Sequence, residues 1–201
     1  KYLLFVTTTN EKNIIAEKIS TQIKNIKPKK PALKILDAGL GDGTLLMSVL
    51  RSCHREFPTI PFLVFGKEIS MEDVRMSVEK LPDRFVEHPS MVFVVSNLYY
   101  AEAASLTSSN ADKQKRLNWE TFKLYGNSSF EFSQQLSQLD EMLHNNWQVE
   151  RHHKSGNQIY KLPSVLVIMR NSHEFDLDHI IPKHDRRKNY FDLIIASQPY
   201  R

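Results

Sequence analysis

The chain has 201 residues, 41% of them apolar and 25% charged, which is enough for one domain with a true core. A single cysteine rules out an internal disulfide, and the longest apolar runs, such as Val165–Met169, fall far short of the ~20 residues a membrane helix needs, so a soluble chain from a reducing, cytoplasmic compartment is expected. A net charge of +4 is mild and allows an acidic partner such as nucleic acid without demanding one.

The first ten residues carry no secretory signal and read as an internal start. Between Glu11 and Ile26, Ile15, Ile19 and Ile23 recur at i, i+4 and i+8 behind a Thr9-Asn10 cap, the pattern of an amphipathic helix that Pro28 and Pro31 end. Leu33, Ile35 and Leu36 then form a short apolar run suited to a buried strand, and glycines follow at 39, 41 and 43. Leu45, Leu46, Val49, Leu50, Cys53 and Phe57 return at helical spacing, with Cys53 as a small core hydrophobe rather than a nucleophile. Strand, glycine turn and helix make the first half of a βαβ unit, in which the backbone can come close to a ligand.

The spacing of the glycines selects among ligands. A dinucleotide fingerprint, G-x-G-x-x-G, has its third glycine where Thr44 stands, whereas this chain reads G-x-G-x-G preceded by Asp37. A carboxylate at that place repels a pyrophosphate and suits a ligand that carries an ammonium and a sulfonium. Asp37 to Gly43 therefore resembles motif I of the class I S-adenosylmethionine-dependent methyltransferases. The resemblance implies a three-layer, Rossmann-like α/β fold with a mostly parallel sheet. It also implies that Gly39, Gly41 and Gly43 lie against the methionine part of S-adenosylmethionine, with Asp37 on its amino group. The competing reading is a glycine turn in some other α/β protein.

Phe62 to Phe65 reads as the second buried strand, with Glu68 just past its end, where a carboxylate can accept hydrogen bonds from both hydroxyls of a ribose. Ile69 would offer an apolar side chain to the adenine. Ser70, with Asp73 three residues on, caps a helix whose inward face is Val74, Val78 and Leu81 and which Pro82 ends. Met91–Val95 is the third buried strand. In the resembling family the residue after it commonly bonds the adenine amino group, and Asn97 is the candidate; it could equally cap the next turn.

Residues 1–100 thus form the cofactor-binding half. About 90 residues then precede a fitting fourth strand, so a folded insertion over 101–189, a candidate substrate lid, is expected. Within it, Ala103 to Arg116 is polar and the candidate for a mobile loop. Phe132, Leu136, Leu139 and Leu143 predict a helix starting at Ser128 or Ser129, and Trp147–His153 with Gln158–Leu162 predict a hairpin. Val165–Met169 is a strand of either the main sheet or the insert. His173, Asp176, Asp178, His179 and His184, like His152-His153, match no zinc or calcium spacing and read as charged loops without metal.

Residues 190–201 close the chain. Phe191–Ala196 is a buried strand delivering Ser197, Gln198, Pro199 and Tyr200 to the carboxyl edge of the sheet, and this resembles motif IV of the same methyltransferases. In the branch that methylates amines of bases or glutamine, the motif reads Asp/Asn/Ser-Pro-Pro-Tyr/Phe. The resemblance assigns Ser197 and the Gln198 carbonyl to orienting the acceptor amine and Tyr200, with Tyr99 or Tyr100, to packing on it. Gln198 stands in place of the first proline, so the rigid turn is lost there. The later strands of that fold are expected to be missing from this chain. The expected function is methyl transfer from S-adenosylmethionine to an unidentified acceptor, an amine by the motif IV resemblance. The alternatives are a nucleic-acid base methyltransferase of the N6-adenine type and a non-catalytic S-adenosylmethionine-binding relative; a nicotinamide-dependent oxidoreductase ranks last for want of the third glycine.

Overall fold

A computed structural model describes residues 11–153, 156–184 and 189–197. In chain order the elements are α1 (Glu11–Ile23), β1 (Leu33–Asp37), α2 (Thr44–Glu56), β2 (Phe62–Lys67), α3 (Met71–Val78), α4 (Pro82–Glu87) and β3 (Met91–Ser96). There follow α5 (Tyr100–Ala103), α6 (Ala111–Lys115), β4 (Asn118–Leu124), α7 (Ser129–Leu136), α8 (Asp140–Asn146), β5 (Val149–Arg151), β6 (Gln158–Tyr160), β7 (Ser164–Arg170), α9 (Glu174–Leu177) and β8 (Leu193–Ile195). The fold is α/β and Rossmann-like, with a six-stranded, mostly parallel sheet in the order β4-β7-β3-β2-β1-β8, flanked by helices. β5 and β6 form the expected hairpin.

Alternation along the strands builds two cores. Leu33 and Ile35, Phe62 and Val64, Phe93 and Val95 face the helix layer made by α1 to α4, α7 and α8. Leu36, Leu63, Phe65, Val92 and Val94 face the other side, where Leu98, Leu106, Tyr160, Leu177 and Ile180 cover them. The longer helices therefore share one face, and the second layer is made of short segments. Toward β8 that second face thins out, leaving Ile194 60% exposed.

β8 runs parallel to β1, pairing Ile35 with Leu193 and Asp37 with Ile195, so the last apolar run sits where a fourth core strand was expected. The stretch from 101 to 189 puts two strands in the main sheet. β7 lies antiparallel to β3, Ser96 opposite Val165, and β4 lies parallel to β7 at the edge. The open question about Val165–Met169 is thereby answered: it is a main-sheet strand.

The segment expected to be a mobile loop is folded around one carboxylate. Glu102, 4% exposed, accepts hydrogen bonds from the N–H of Tyr99 and Ser109, from the Ser108 and Ser109 hydroxyls and from Tyr160. The predicted α7 start holds in detail: Ser128 and Glu131 form a reciprocal capping box.

Candidate functional site

The direction of chain progression reverses at β1: β2 and β3 lie to one side of it and β8 to the other. A crevice opens at such a reversal, at the carboxyl ends of the strands. Here those ends carry Asp37, Glu68 and Ser197, and the N–H of Ala38 donates to the Ile195 carbonyl at 2.8 Å, fixing the exit of β8 beside the start of the glycine turn.

Asp37 is 1% exposed, and its Oδ1 accepts the Gly39 N–H at 3.1 Å. Burial pushes its carboxyl up to about 6; the Gly39 bond opposes this, the nearby Glu68 charge adds to it and Lys12 opposes it. A carboxylate held in that state gains from a cation placed against it.

The turn itself is tied down at both ends. The Leu40 N–H donates to the Lys67 carbonyl at 3.0 Å, and the Leu40 side chain rests on Gly66, where a Cβ would lie 2.9 Å from it. Gly41 and Gly43 have φ of +52° and +76°, a region that favours glycine. At Gly43 a Cβ would lie 2.8 Å from the Cβ of Ser77, so the glycine also lets α2 approach α3. At Gly41 a Cβ would meet nothing within 4 Å, so the turn there faces open space.

Glu68 joins the turn to β2. Its Oε2 accepts the Gly41 N–H at 2.9 Å, and its Oε1 accepts the N–H groups of Ile69 and Ser70 at 2.7 and 2.9 Å. Of about four acceptor positions on a carboxylate, one on Oε2 remains. The indole N–H of Trp147, a buried side chain from the end of α8, donates to the Glu68 carbonyl at 3.0 Å.

The first turn of α2 is filled by the chain's own carboxylate. Asp42 accepts the Thr44 N–H at 3.2 Å and the Thr44 hydroxyl at 2.7 Å, and pairs with Lys12 at 2.5 Å and Lys80 at 3.1 Å. Partial burial alone would raise this carboxyl, but the bonds from Lys12, Thr44 and Lys80 outweigh it and hold it far below the usual carboxylate range. An anion seeking that helix end meets Asp42 first.

Asp37, Gly39, Gly41, Gly43 and Glu68 are thus brought together. Ile69 follows in the same loop, half-buried, its N–H on Glu68. Asn97 bonds to the protein itself. Only 1% exposed, its amide donates to the Leu162 carbonyl at 2.8 Å and accepts the Ser164 N–H at 2.8 Å. These bonds tie the end of β3 to the start of β7, in place of a cap on the next turn, and they occupy the amide that the adenine contact was expected to use. Ser197 emerges two residues past β8, partly exposed, while Gln198, Pro199 and Tyr200 lie outside the described residues. Tyr99 and Tyr100 are 38% and 45% exposed, with the Lys67 ammonium 4.6 Å from the Tyr100 ring centre.

Three contributors escaped the sequence reading. Gly66 had a signal, since a glycine inside a strand marks a close approach. Asp42 had one too, as an acid next to a helix start. Trp147 had none, because its partner is a backbone carbonyl 79 residues away.

Among the described residues no cluster of three or more His, Cys, Asp or Glu suits a metal, and no helix is long and apolar enough to cross a membrane. Burial pushes the Cys53 thiol up to about 12. No family model matches the chain, and neither a curated protein nor a solved structure matches it.

Proposed function

We propose that this chain binds S-adenosylmethionine at the edge formed by Asp37, the glycine turn and Glu68, and transfers its methyl group to an acceptor, an amine, that approaches past Ser197. The observation that carries this reading is the pairing of a buried carboxylate, whose one hydrogen bond comes from Gly39, with an open Gly41 turn and a Glu68 that retains an acceptor position. Asp37 would hold the amino group and Glu68 a ribose hydroxyl. Asp42 supports the choice of cofactor, because its carboxylate occupies the helix end that a diphosphate would need.

The bound sulfonium supplies a methyl group that is already activated. The chain's own residues then have to position the acceptor and exclude water, which is where most of the rate enhancement of such a transfer lies. The hydroxyl of Ser197 and the carbonyl of Gln198 would orient the acceptor amine, and Tyr200 would pack on it.

A base-methylating version is favoured by one feature, the exposed Tyr99 and Tyr100 with Lys67 and Lys113 against their rings. Such a surface can stack a base and neutralise its phosphate. It predicts binding of single strands that weakens steeply with salt. The primary test is calorimetric titration with S-adenosylmethionine beside NAD. Uptake of the first and not the second is expected; uptake of NAD, or of neither, overturns the reading.

A further inference from the structure

On the helix layer, α2, α4 and α7, with Glu79 and Lys80 just past α3, surround a groove of about 460 Å³ that plays no part in the proposed transfer. Its size is that of a small-ligand pocket, roughly 300–1,000 Å³. Met47 and Pro82, both buried, give it an apolar wall.

The charges around it are unevenly matched. Glu79 is committed to Arg75 at 2.5 Å, and Asp83 accepts the Ser129 hydroxyl at 2.6 Å. Lys80 is committed to Asp42, and Arg84, 5% exposed, pairs with Glu87. Burial pushes the Arg84 guanidinium down, Glu87 pulls it back, and the like charge of Arg51 adds to the downward push. Arg51 itself is exposed and makes no hydrogen bond or ion pair with the described residues. Arg51 and Arg84 therefore both line the groove, and of the two only Arg84 has a carboxylate partner, Glu87, which is not itself a lining residue. The hydroxyls of Ser48 and Ser133 border the same space.

We propose that this groove binds a phosphate monoester, with the dianionic head between Arg51 and Arg84 and the organic part against Met47 and Pro82. The reasons are chemical. Guanidinium forks and hydroxyls together offer more donors than a carboxylate can accept, and a phosphate head with three free oxygens uses them. The apolar wall asks for an organic body rather than a bare ion. The two lining carboxylates, Glu79 and Asp83, are already engaged by Arg75 and Ser129.

The test is titration of the whole chain with phenyl phosphate, followed by calorimetry and by amide chemical shifts. Phenyl phosphate should bind at least several-fold tighter than inorganic phosphate or phenol, with shifts centred on Ser48, Arg51 and Ser133. Arg51→Gln, which alters an exposed side chain, should weaken binding at least tenfold with the melting temperature unchanged, and Ser133→Glu, which brings in a carboxylate, should abolish it. Lys161→Gln, at an exposed lysine outside the groove, should bind as the wild type does. Equal affinity of wild type and Arg51→Gln, or shifts spread over unrelated lysines, overturns the proposal. A single-stranded oligonucleotide that displaces phenyl phosphate from the same residues more strongly than the ester binds overturns the small-ligand assignment.

Discussion

The N–H of Gly41 donates to Oε2 of Glu68 across 2.9 Å, which makes the turn after β1 and the tip of β2 a single hydrogen-bonded unit. Glu68→Gln keeps the volume and gives up one acceptor oxygen, leaving either Gly41 or the Ile69–Ser70 pair unpaired. A buried donor left without its partner costs about 1–3 kcal/mol. Urea unfolding should register that loss, and calorimetry should register at least a tenfold loss of S-adenosylmethionine affinity. Unchanged affinity removes Glu68 from the site.

Asp37 should trade stability against binding. An acid whose folded value, about 6, lies above its ordinary 3.8 keeps a proton that the unfolded chain has released. Stability contributed by this group is complete below pH 3.8, falls as pH rises to 6 and stays lowered above, by about 2–3 kcal/mol. Asp37→Asn should therefore be more stable than wild type at pH 8 by about 1–3 kcal/mol while losing cofactor binding. In the wild type, affinity for S-adenosylmethionine should rise as pH passes upward through 6, with proton release visible in buffers of different ionisation enthalpy.

The two positive-φ glycines of the turn after β1 should differ. Gly41→Ala carries only the backbone cost, about 1 kcal/mol, because a Cβ there meets open space, yet it should obstruct the ligand. Gly43→Ala adds a collision with Ser77 and should cost about 2–4 kcal/mol. Chemical denaturation of the two variants measures the gap, and Ser77→Gly should restore only part of the steric share, because the Cα of residue 77 still lies 3.0 Å from the added Cβ.

His88 should work against Asp37 as pH falls. Its ring stacks on Phe62 with centroids 3.6 Å apart, its Nε2 donates to the Ile60 carbonyl at 3.0 Å, and its Nδ1 lies 2.9 Å from Nδ1 of His54. Burial, followed by the His54 charge, pushes it down to about 4. The unfolded chain takes up this proton near the ordinary 6.5, so the stability is whole above that value and falls as pH drops to 4, by on the order of 2–3 kcal/mol. His88→Gln should flatten that part of the profile, whatever its effect at neutral pH.

Asn97→Ala tests the reassignment of that residue. It strands the Leu162 carbonyl and the Ser164 N–H and should cost about 2–4 kcal/mol. The folded fraction should bind S-adenosylmethionine as the wild type does; a selective loss of affinity would return Asn97 to the site.

What could be read from the residues was what local pattern controls. The β1–turn–α2 unit, the Ser70 and Ser128 caps and the β5–β6 hairpin each depend on neighbours within a few positions, and each was found where expected. Pairings across long separations were not legible. Nothing near Val165 states that it will lie antiparallel to β3, and nothing near Asn97 states that its amide will be taken by residues 162 and 164. That short segments, and not long helices, cover the second face among the described residues was hidden for the same reason, since covering residues such as Leu98, Leu106 and Tyr160 lack periodicity.

β8 is joined to β1 by residues far apart in the chain: the Lys34 N–H donates to Asp192 across 158 positions at 2.9 Å. Loop closure over such a span is entropically costly and pairs of this kind form late in folding. During synthesis, β1 to β3 can assemble while one flank of β1 waits open, and the crevice with Asp37 on one wall acquires its other wall only when the residues of β8 have emerged. Ribosome-bound intermediates should therefore be well structured around Phe93 long before they can engage any small molecule at that edge.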